Sequence, residues 1–434
     1  MPERSRHIGG ISAPAIRKTS SGDRPRVLYL SCHLPWPAIS GGRRRELELI
    51  NRLAARFDVH LLVVSKTAAQ DFSNARVLRR CCSQVEVFAA SSLSPDAPGF
   101  ERPPQVRRHR CPVATARANE ILAGERVDLI HVEGFYLMQH VPAGAPAPVL
   151  LVEQNIEYEL ERQRAERTSD PDARAQFSST RAEERRCWSR AARLAAVTPE
   201  DRATMQATVD HTRVRVVPDG ADHIPNLHVI GFERDVEHPG APLLVLLANY
   251  AYPPNVDAAR HLCLDILPAV RQRVPDARVW LVGNAPGPEV LDLRSEAVTV
   301  TGRVADVVPY LDVADAIVCP LRIGGGVKVK AIEALRRGKA VVSSTIGAQG
   351  LPESARRALV IADDPTTFAE AAAALLLDPA LRAEHERRAA HAASQLPTWD
   401  DAAQALGEIY DELLHPVPAW VPEFVPRALA GGSR

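Results

Sequence analysis

Residues Pro320–Leu335 read PLRIGGGVKVKAIEAL. A short apolar strand, Ala316–Pro320, runs into Gly324, Gly325 and Gly326, and a helix begins near Val327. Three consecutive glycines let a backbone present N–H groups in conformations that a Cβ would forbid. The free N–H groups and positive dipole end of the following helix suit a phosphate or another anion. Lys330 and Glu333 stand three apart and share one helix face, a cation for pyrophosphate followed by a carboxylate for a sugar hydroxyl pair. The same pattern also fits a tight strand-to-helix turn followed by a solvated ion pair. Neither GxxxxGK[ST] nor GxGxxG with a distal acid is present, so any phosphate site here belongs to another architecture.

Outward from this loop, strands and helices alternate along most of the chain. From Arg26, VLYLS, a loop, the amphipathic RRRELELINRLAARF and VHLLVVS make a parallel βαβ unit. Further strands are expected at Val85–Ala89, Val127–Val132, Val149–Val152, Leu194–Val197 and Val214–Val217, with long surface helices over Tyr158–Arg193. Residues 223–240 lose the periodicity and read as a linker. The alternation resumes at Leu243–Leu247, with a helix at Val256–Val274 and strands at Arg278–Val282, Val298–Thr301, Ala316–Cys319, Ala340–Ser343 and Leu359–Ile361. Three closing helices extend to Leu414. The predicted fold class is α/β, with two doubly wound, Rossmann-like domains over 26–222 and 241–414, an arm at 1–25 and an irregular tail at 415–434. Ligands in such sheets sit beyond the carboxyl ends of the strands, so the two domains would enclose a cleft.

At 434 residues the chain suits two cores. Its 53 basic and 53 acidic residues cancel, which disfavours a nucleic-acid partner. No apolar run reaches the ~18 residues of a membrane span. Seven cysteines without a CxxC pair fit a reducing cytoplasm. Peripheral contact with an anionic membrane is one reading of Arg76, Arg79, Arg80, Arg107, Arg108 and Arg110, and Trp420 and Phe424 in the tail could touch such a surface; simple solvation of the arginines is the other reading.

The segments VTGRVADVVPYLDVADAIVCP, LRIGGGVKVKAIEAL and GKAVVSSTIGAQGL together resemble the GT-B glycosyltransferases, in particular retaining family 4 (bacterial glycosyl transferases group 1). The likeness extends upstream through NYAYPPNVDAARHLCLDILPAVRQRVPDARVWLVGNAP, and more weakly through LPWPAISGGRRRELELINRLA, VDLIHVEGF, EQNIEYELER, AAVTPEDRATM and VVPDGAD. It implies a nucleotide-sugar donor in the second domain, an acceptor in the first, and no cofactor or metal. On the matching positions Glu333 would bind the donor ribose. Lys330, favoured over Lys328, would meet the diphosphate, and Gly324, Gly325 and Gly326 would approach sugar and phosphates by backbone. Gly325 stands where many members carry a glutamate. Gly41 and Gly42 would reach over the diphosphate from the opposite domain, although a plain strand–helix connection with solvated Arg43, Arg44 and Arg45 reads equally from the residues.

Other candidates follow from strand ends. His131 and Glu133 alternate on one face of VDLIHVEG and suit positioning or deprotonating an acceptor hydroxyl, or else form a satisfied core pair. Glu153, Asn155 and Glu157 would lie near the acceptor, or Asn155 would cap a helix. In the donor half, Asn249, Asn255 and Gly283 flank strand ends, with Thr345, Gly347 and Gln349 as neighbours of the site. Arg303 could fork onto the diphosphate or make a surface ion pair. The function implied is transfer of a sugar to an acceptor hydroxyl. A non-catalytic nucleotide-sugar-binding subunit and a sugar-nucleotide epimerase are the alternatives. The base, the sugar and the acceptor, whether lipid-linked glycan, small metabolite or protein, are not specified by these residues.

Overall fold

A computed structural model describes residues 24–91, 102–168, 171–225 and 236–416. The expected arm and tail, with Trp420 and Phe424, and the middle of the expected linker fall outside these residues. The first half forms a sheet of seven parallel strands: β1 (Arg26–Ser31), β2 (Asp58–Ser65), β3 (Gln84–Ala89), β4 (Leu129–Glu133), β5 (Val149–Glu153), β6 (Arg193–Ala196) and β7 (Val214–Val216), in the order β3-β2-β1-β4-β5-β6-β7. The second forms a sheet of six: β8 (Leu243–Leu247), β9 (Arg278–Val282), β10 (Val298–Gly302), β11 (Ala316–Cys319), β12 (Val341–Ser343) and β13 (Val360–Ile361), in the order β10-β9-β8-β11-β12-β13. Every pairing within them is parallel. Strands such as DVHLLVVS and LLVLL are buried along their whole length because helices cover both sheet faces. The order reverses at β1/β4 and at β8/β11, the two points where such sheets open a crevice.

Three features depart from the sequence expectation. The helix expected over Val256–Val274 is interrupted: Pro253–His261 is α-helical, Leu262–Ile266 forms a π-turn, and Leu267–Arg273 resumes the α-helix. Pro268 has no N–H and its ring would press on the Leu264 carbonyl in a regular helix, so the wider turn just before it relieves that clash. The last helix, Trp399–Leu414, was assigned to the second domain, but its buried face joins the first-half core. Trp399, Ala402, Leu406, Ile409, Tyr410 and Leu413 pack with Val27, Tyr29, Phe57 and Leu61. A capping box at Thr398 and Asp401 starts this helix, with Thr398 Oγ1 accepting from Asp401 N and the Asp401 carboxylate accepting from Thr398 N. Ala221, placed at the end of the first domain, packs instead into the second-half core with Leu243 and Val245.

Candidate functional site

The glycine loop meets the first half directly. Gln163, on the Glu157–Glu166 helix, donates to the Gly324 carbonyl at 3.1 Å and accepts from Gly324 N at 2.9 Å. A Cβ on Gly326 would lie 2.4 Å from the Gln154 carbonyl oxygen, and its φ of 61° is left-handed, so both space and backbone require glycine there. Asn155 does not cap a helix. Its amide nitrogen faces the carbonyls of Gln154 and Gly325 at 3.1 and 3.0 Å, and the N-terminus of Glu157–Glu166 is instead capped by Glu184, which accepts from Glu157 N and Tyr158 N.

Three glycine N–H groups facing one ligand is therefore not what the loop provides. The N–H of Gly324 is taken by Gln163. Lys328 is also corrected as a ligand-facing residue: it is buried, and its ammonium donates back to the carbonyls of Gly325 and Gly326 at 2.8 and 2.9 Å, tying the turn from within. Burial brings its pKa down to about 8.

The helix Val329–Arg336 then carries Lys330 and Glu333. Lys330 Nζ donates to Asn255 Oδ1 at 2.6 Å, and Asn255 Nδ2 donates to the Asn249 carbonyl at 2.8 Å, so these three residues are brought together. Burial lowers the Lys330 pKa. Glu333 Oε1 accepts from His223 Nε2 at 3.2 Å. Trp399 Nε1 is donor-only and gives its hydrogen to His223 Nδ1 at 3.2 Å, which fixes the imidazole as the Nε2–H tautomer pointing at Glu333. One carboxylate oxygen is thus held by the protein while the side chain keeps 17% of its surface exposed. Gly283 lies where a Cβ would stand 1.8 Å from the Ala248 carbonyl oxygen, so it closes strand β9 against β8 beside Asn249.

From the opposite half, Gly41 opens the helix Gly41–Leu53 and abuts the donor helix, where a Cβ would meet Val329 Cγ2 at 2.9 Å. Gly42 packs on Gln154 and His33. The N-termini of the two helices therefore meet. Of the adjacent arginines, Arg43 and Arg45 are tied to distant partners, while Arg44 makes a pair within its own helix. Arg43 pairs with Asp71 at 3.0 Å, Arg44 with Glu48 at 3.3 Å, and buried Arg45 bonds Asp219 at 2.7 Å and the carbonyls of Val217 and Pro218 at 2.8 and 3.0 Å.

His131 and Glu133 do not face an acceptor. His131 is fully buried, stacked on Tyr29, with Nε2 on Glu133 at 2.9 Å and Nδ1 on the Tyr410 hydroxyl at 2.8 Å. Glu133 also accepts from Tyr29 at 2.6 Å and from Gln154 at 3.1 Å. Although burial opposes it, these bonds and nearby Arg45 hold the Glu133 pKa down at about 2. With both ring nitrogens of His131 occupied in the interior, the satisfied core pair is the reading the structure supports. Glu153 is likewise buried beneath the cleft, bonded by Trp188 Nε1 at 3.1 Å. Arg303 is exposed at the end of edge strand β10, three strands and roughly 14 Å from β11, so it is not brought to the glycine loop. Thr345 bonds Asp363, and a Cβ on Gly347 would strike Ser343 Oγ and the Cys319 carbonyl, so both hold the β12 turn.

The groups sequence reasoning missed are His223, Gln154, Gln163, and the cluster of Cys32, His33 and Glu46. His223 carried a signal, since it directly follows the VPDGAD turn. Gln154 and Gln163 carried none beyond lying in or beside EQNIEYELER.

Glu157 is pushed up to about 7, first by burial and then by Glu161. A carboxyl raised in the folded state favours folding fully below its unfolded value of about 4.3, and this contribution is lost as pH rises from there to about 7. Glu157→Gln is therefore expected to match the wild type in thermal midpoint near pH 4 and exceed it at about pH 8. Equal midpoints at both pH values would contradict the raised carboxyl.

Residues 241–378 match the family model described as Glycosyl transferases group 1. An uncharacterized 44.6 kDa protein in the cps region of Klebsiella pneumoniae is 27% identical over 157 residues, which are 34% of this chain and 40% of that relative. Among solved structures, sucrose-phosphate synthase from Thermosynechococcus elongatus superposes with a TM-score of 0.65 at 15% identity, covering 90% of this chain and 99% of the other. Anabaena HepE in complex with UDP-glucose gives 0.62 at 17% identity, covering 89% and 100%. At these identities the structures establish shared architecture. Residues 241–378 are thus a glycosyl transferases group 1 domain, set within a chain of GT-B fold.

Proposed function

We propose that this protein moves a sugar from a nucleotide-sugar donor to an acceptor hydroxyl, with retention at the anomeric carbon and without a metal ion. The observation that carries the reading is the Val329–Arg336 helix: its N-terminus abuts the start of the first-half helix Gly41–Leu53, with Lys330 set by Asn255 and Glu333 by His223. The unshared oxygen of Glu333 is suited to accept from ribose hydroxyls. Lys330 and the helix N-terminus are suited to the diphosphate, which gathers charge as the glycosidic bond breaks and takes the bonding electrons with it. Among the described residues no three His, Cys, Asp or Glu side chains are grouped to hold a metal ion. The structurally similar HepE has been obtained with UDP and with UDP-glucose, which makes uridine diphosphate sugars the first donors to test. The acceptor would enter against the first half. Among the described residues no helix is long and apolar enough to cross a membrane. Cytoplasmic residence, with peripheral membrane contact where the acceptor is a lipid-linked glycan, is part of the same proposal.

Lys330→Ala is expected to lower kcat by at least tenfold while changing donor Kd by less than about threefold, because the charge it meets grows during bond cleavage. Single-turnover rates and calorimetric Kd values check this. Equal losses in both would remove Lys330 from the transition state.

A further inference from the structure

The loop leaving β1 reads Ser31-Cys32-His33-Leu34 and carries a cluster that donor binding does not use. Cys32 Sγ lies 3.2 Å from His33 Nδ1, and His33 Nε2 lies 2.8 Å from Glu46 Oε1 on the Gly41–Leu53 helix. The Tyr136 hydroxyl donates to the same sulfur at 3.4 Å. His109 stacks on Tyr136 with ring centroids 4.4 Å apart, its Nδ1 bonded to the Gln105 carbonyl at 2.7 Å and its buried Nε2 without a hydrogen-bond partner. Glu46 is buried with Oε2 unpartnered, and Glu157, on the Glu157–Glu166 helix, interacts with the sulfur electrostatically.

These surroundings favour charge separation. Burial opposes a thiolate, yet the positive charge of His33, with its hydrogen bond and the neighbouring His109, holds Cys32 well below the usual thiol range. Burial also opposes the imidazolium, and Cys32 and Glu46 outweigh it to hold His33 well above the usual histidine range. Glu46 and Glu157 are each pushed up to about 7, chiefly by burial, so near neutral pH they weigh less against the thiolate than ordinary carboxylates would. Cys32 is partly exposed, whereas Cys82, Cys111, Cys187 and Cys319 are buried. The cluster borders the cleft: a Cβ on Gly42 would meet His33 Cε1 at 3.5 Å, and the neighbouring Gly41 abuts Val329.

We propose that Cys32 and His33 form a thiolate–imidazolium pair and that this corner of the cleft is a covalent modification site for soft electrophiles and peroxides. With an alkyl halide, sulfur attacks the carbon, the C–S bond forms, and the halide leaves with the electron pair of the broken bond. With a peroxide, sulfur attacks one oxygen and the O–O bond breaks. The departing hydroxide takes the proton of His33 to give water, and Cys32 is oxidised to a sulfenic acid as the peroxide is reduced. The site stands independently of sugar transfer, because its test reads modification rather than turnover.

The full chain is treated with iodoacetamide at about pH 6, 7 and 8, and modification is followed at each cysteine by peptide mass spectrometry. An ordinary thiol slows about tenfold per pH unit below its pKa. Cys32 is expected to slow less than about threefold over the whole range, while Cys263, whose thiol burial raises to about 12, slows about tenfold per unit. His33→Asn is expected to give Cys32 the ordinary tenfold slope, and His109→Asn an intermediate one. A tenfold slope at Cys32 in the wild type would overturn the proposal. So would a Cys32 that stays unmodified when Cys263 reacts, or a slope unaltered in folded His33→Asn protein.

Discussion

Glu333→Gln is expected to weaken the binding of a nucleotide-sugar donor by roughly ten- to a hundred-fold, the worth of about 1.5–3 kcal/mol for a hydrogen bond to a charged group. The substitution is selective because of how the carboxylate is held. Its Oε1 accepts from His223 at 3.2 Å, and a glutamine oxygen can do the same. The other oxygen becomes an NH₂ group, a donor that cannot accept from ribose hydroxyls. The unliganded protein should therefore melt within about a degree of the wild type, since the His223–Trp399 arrangement survives. Calorimetric titration with UDP-glucose, and with the GDP, ADP and TDP sugars in parallel, measures the loss. A wild type that binds a donor and a Gln variant that binds it equally well would remove Glu333 from the site. Silence from the wild type with every donor would remove the nucleotide-sugar reading itself.

Arg45→Met is expected to cost about 3–5 kcal/mol of folding stability, the range for stripping one partner from a buried ion pair. Arg45 is 1% exposed, and it joins the Gly41–Leu53 helix to three consecutive residues more than 170 positions away, Val217, Pro218 and Asp219. Methionine fills similar volume but leaves the Asp219 carboxylate buried beside two carbonyls without donors. Urea unfolding reads the change, and a loss below about 1 kcal/mol would show that water or a rearranged loop replaces the guanidinium. Because the same loop continues to His223, donor affinity should fall in this variant as well. Arg44→Met, whose partner Glu48 is on the same helix and whose own side chain is partly exposed, should change stability by less than about 0.5 kcal/mol.

Much of the fold was legible because a parallel sheet leaves a plain record. Strands covered on both faces read as unbroken apolar runs, so VHLLVV and LLVLL identify themselves, and every strand expected from the sequence is present to within about two residues. The placement of Lys330 and Glu333 was legible for a related reason: they share one short helix, and local periodicity places both. The surroundings of His131 and Glu133 were not. His131 and Glu133 do share a strand face, as alternation requires, but that face is inward. What completes His131 is a hydroxyl 279 residues downstream, on a helix whose amphipathic pattern gives no sign of which half it covers. Likewise Arg43, Arg44 and Arg45 look like a solvated run, and only tertiary partners from residue 71 to residue 219 separate one role from the next. Pattern reports which side of an element is apolar; it does not report what that side will meet.

The packing of the last helix has a mechanical consequence. The backbone passes from the first half to the second after β7 and comes back just before Trp399, and the two passages lie side by side, with Ala221 N donating to the Pro397 carbonyl at 2.9 Å. A Cβ on Gly220 would strike the Trp399 backbone nitrogen at 2.3 Å, so the passages are in tight contact. A pair of covalent tethers fixed together permits rotation about their common line and resists sliding or twisting across it. The mouth between the sheets can then swing like a door on a hinge, and since Trp399 also orients His223 against Glu333, the Glu333 carboxylate sits close to the pivot, where such swinging displaces atoms least.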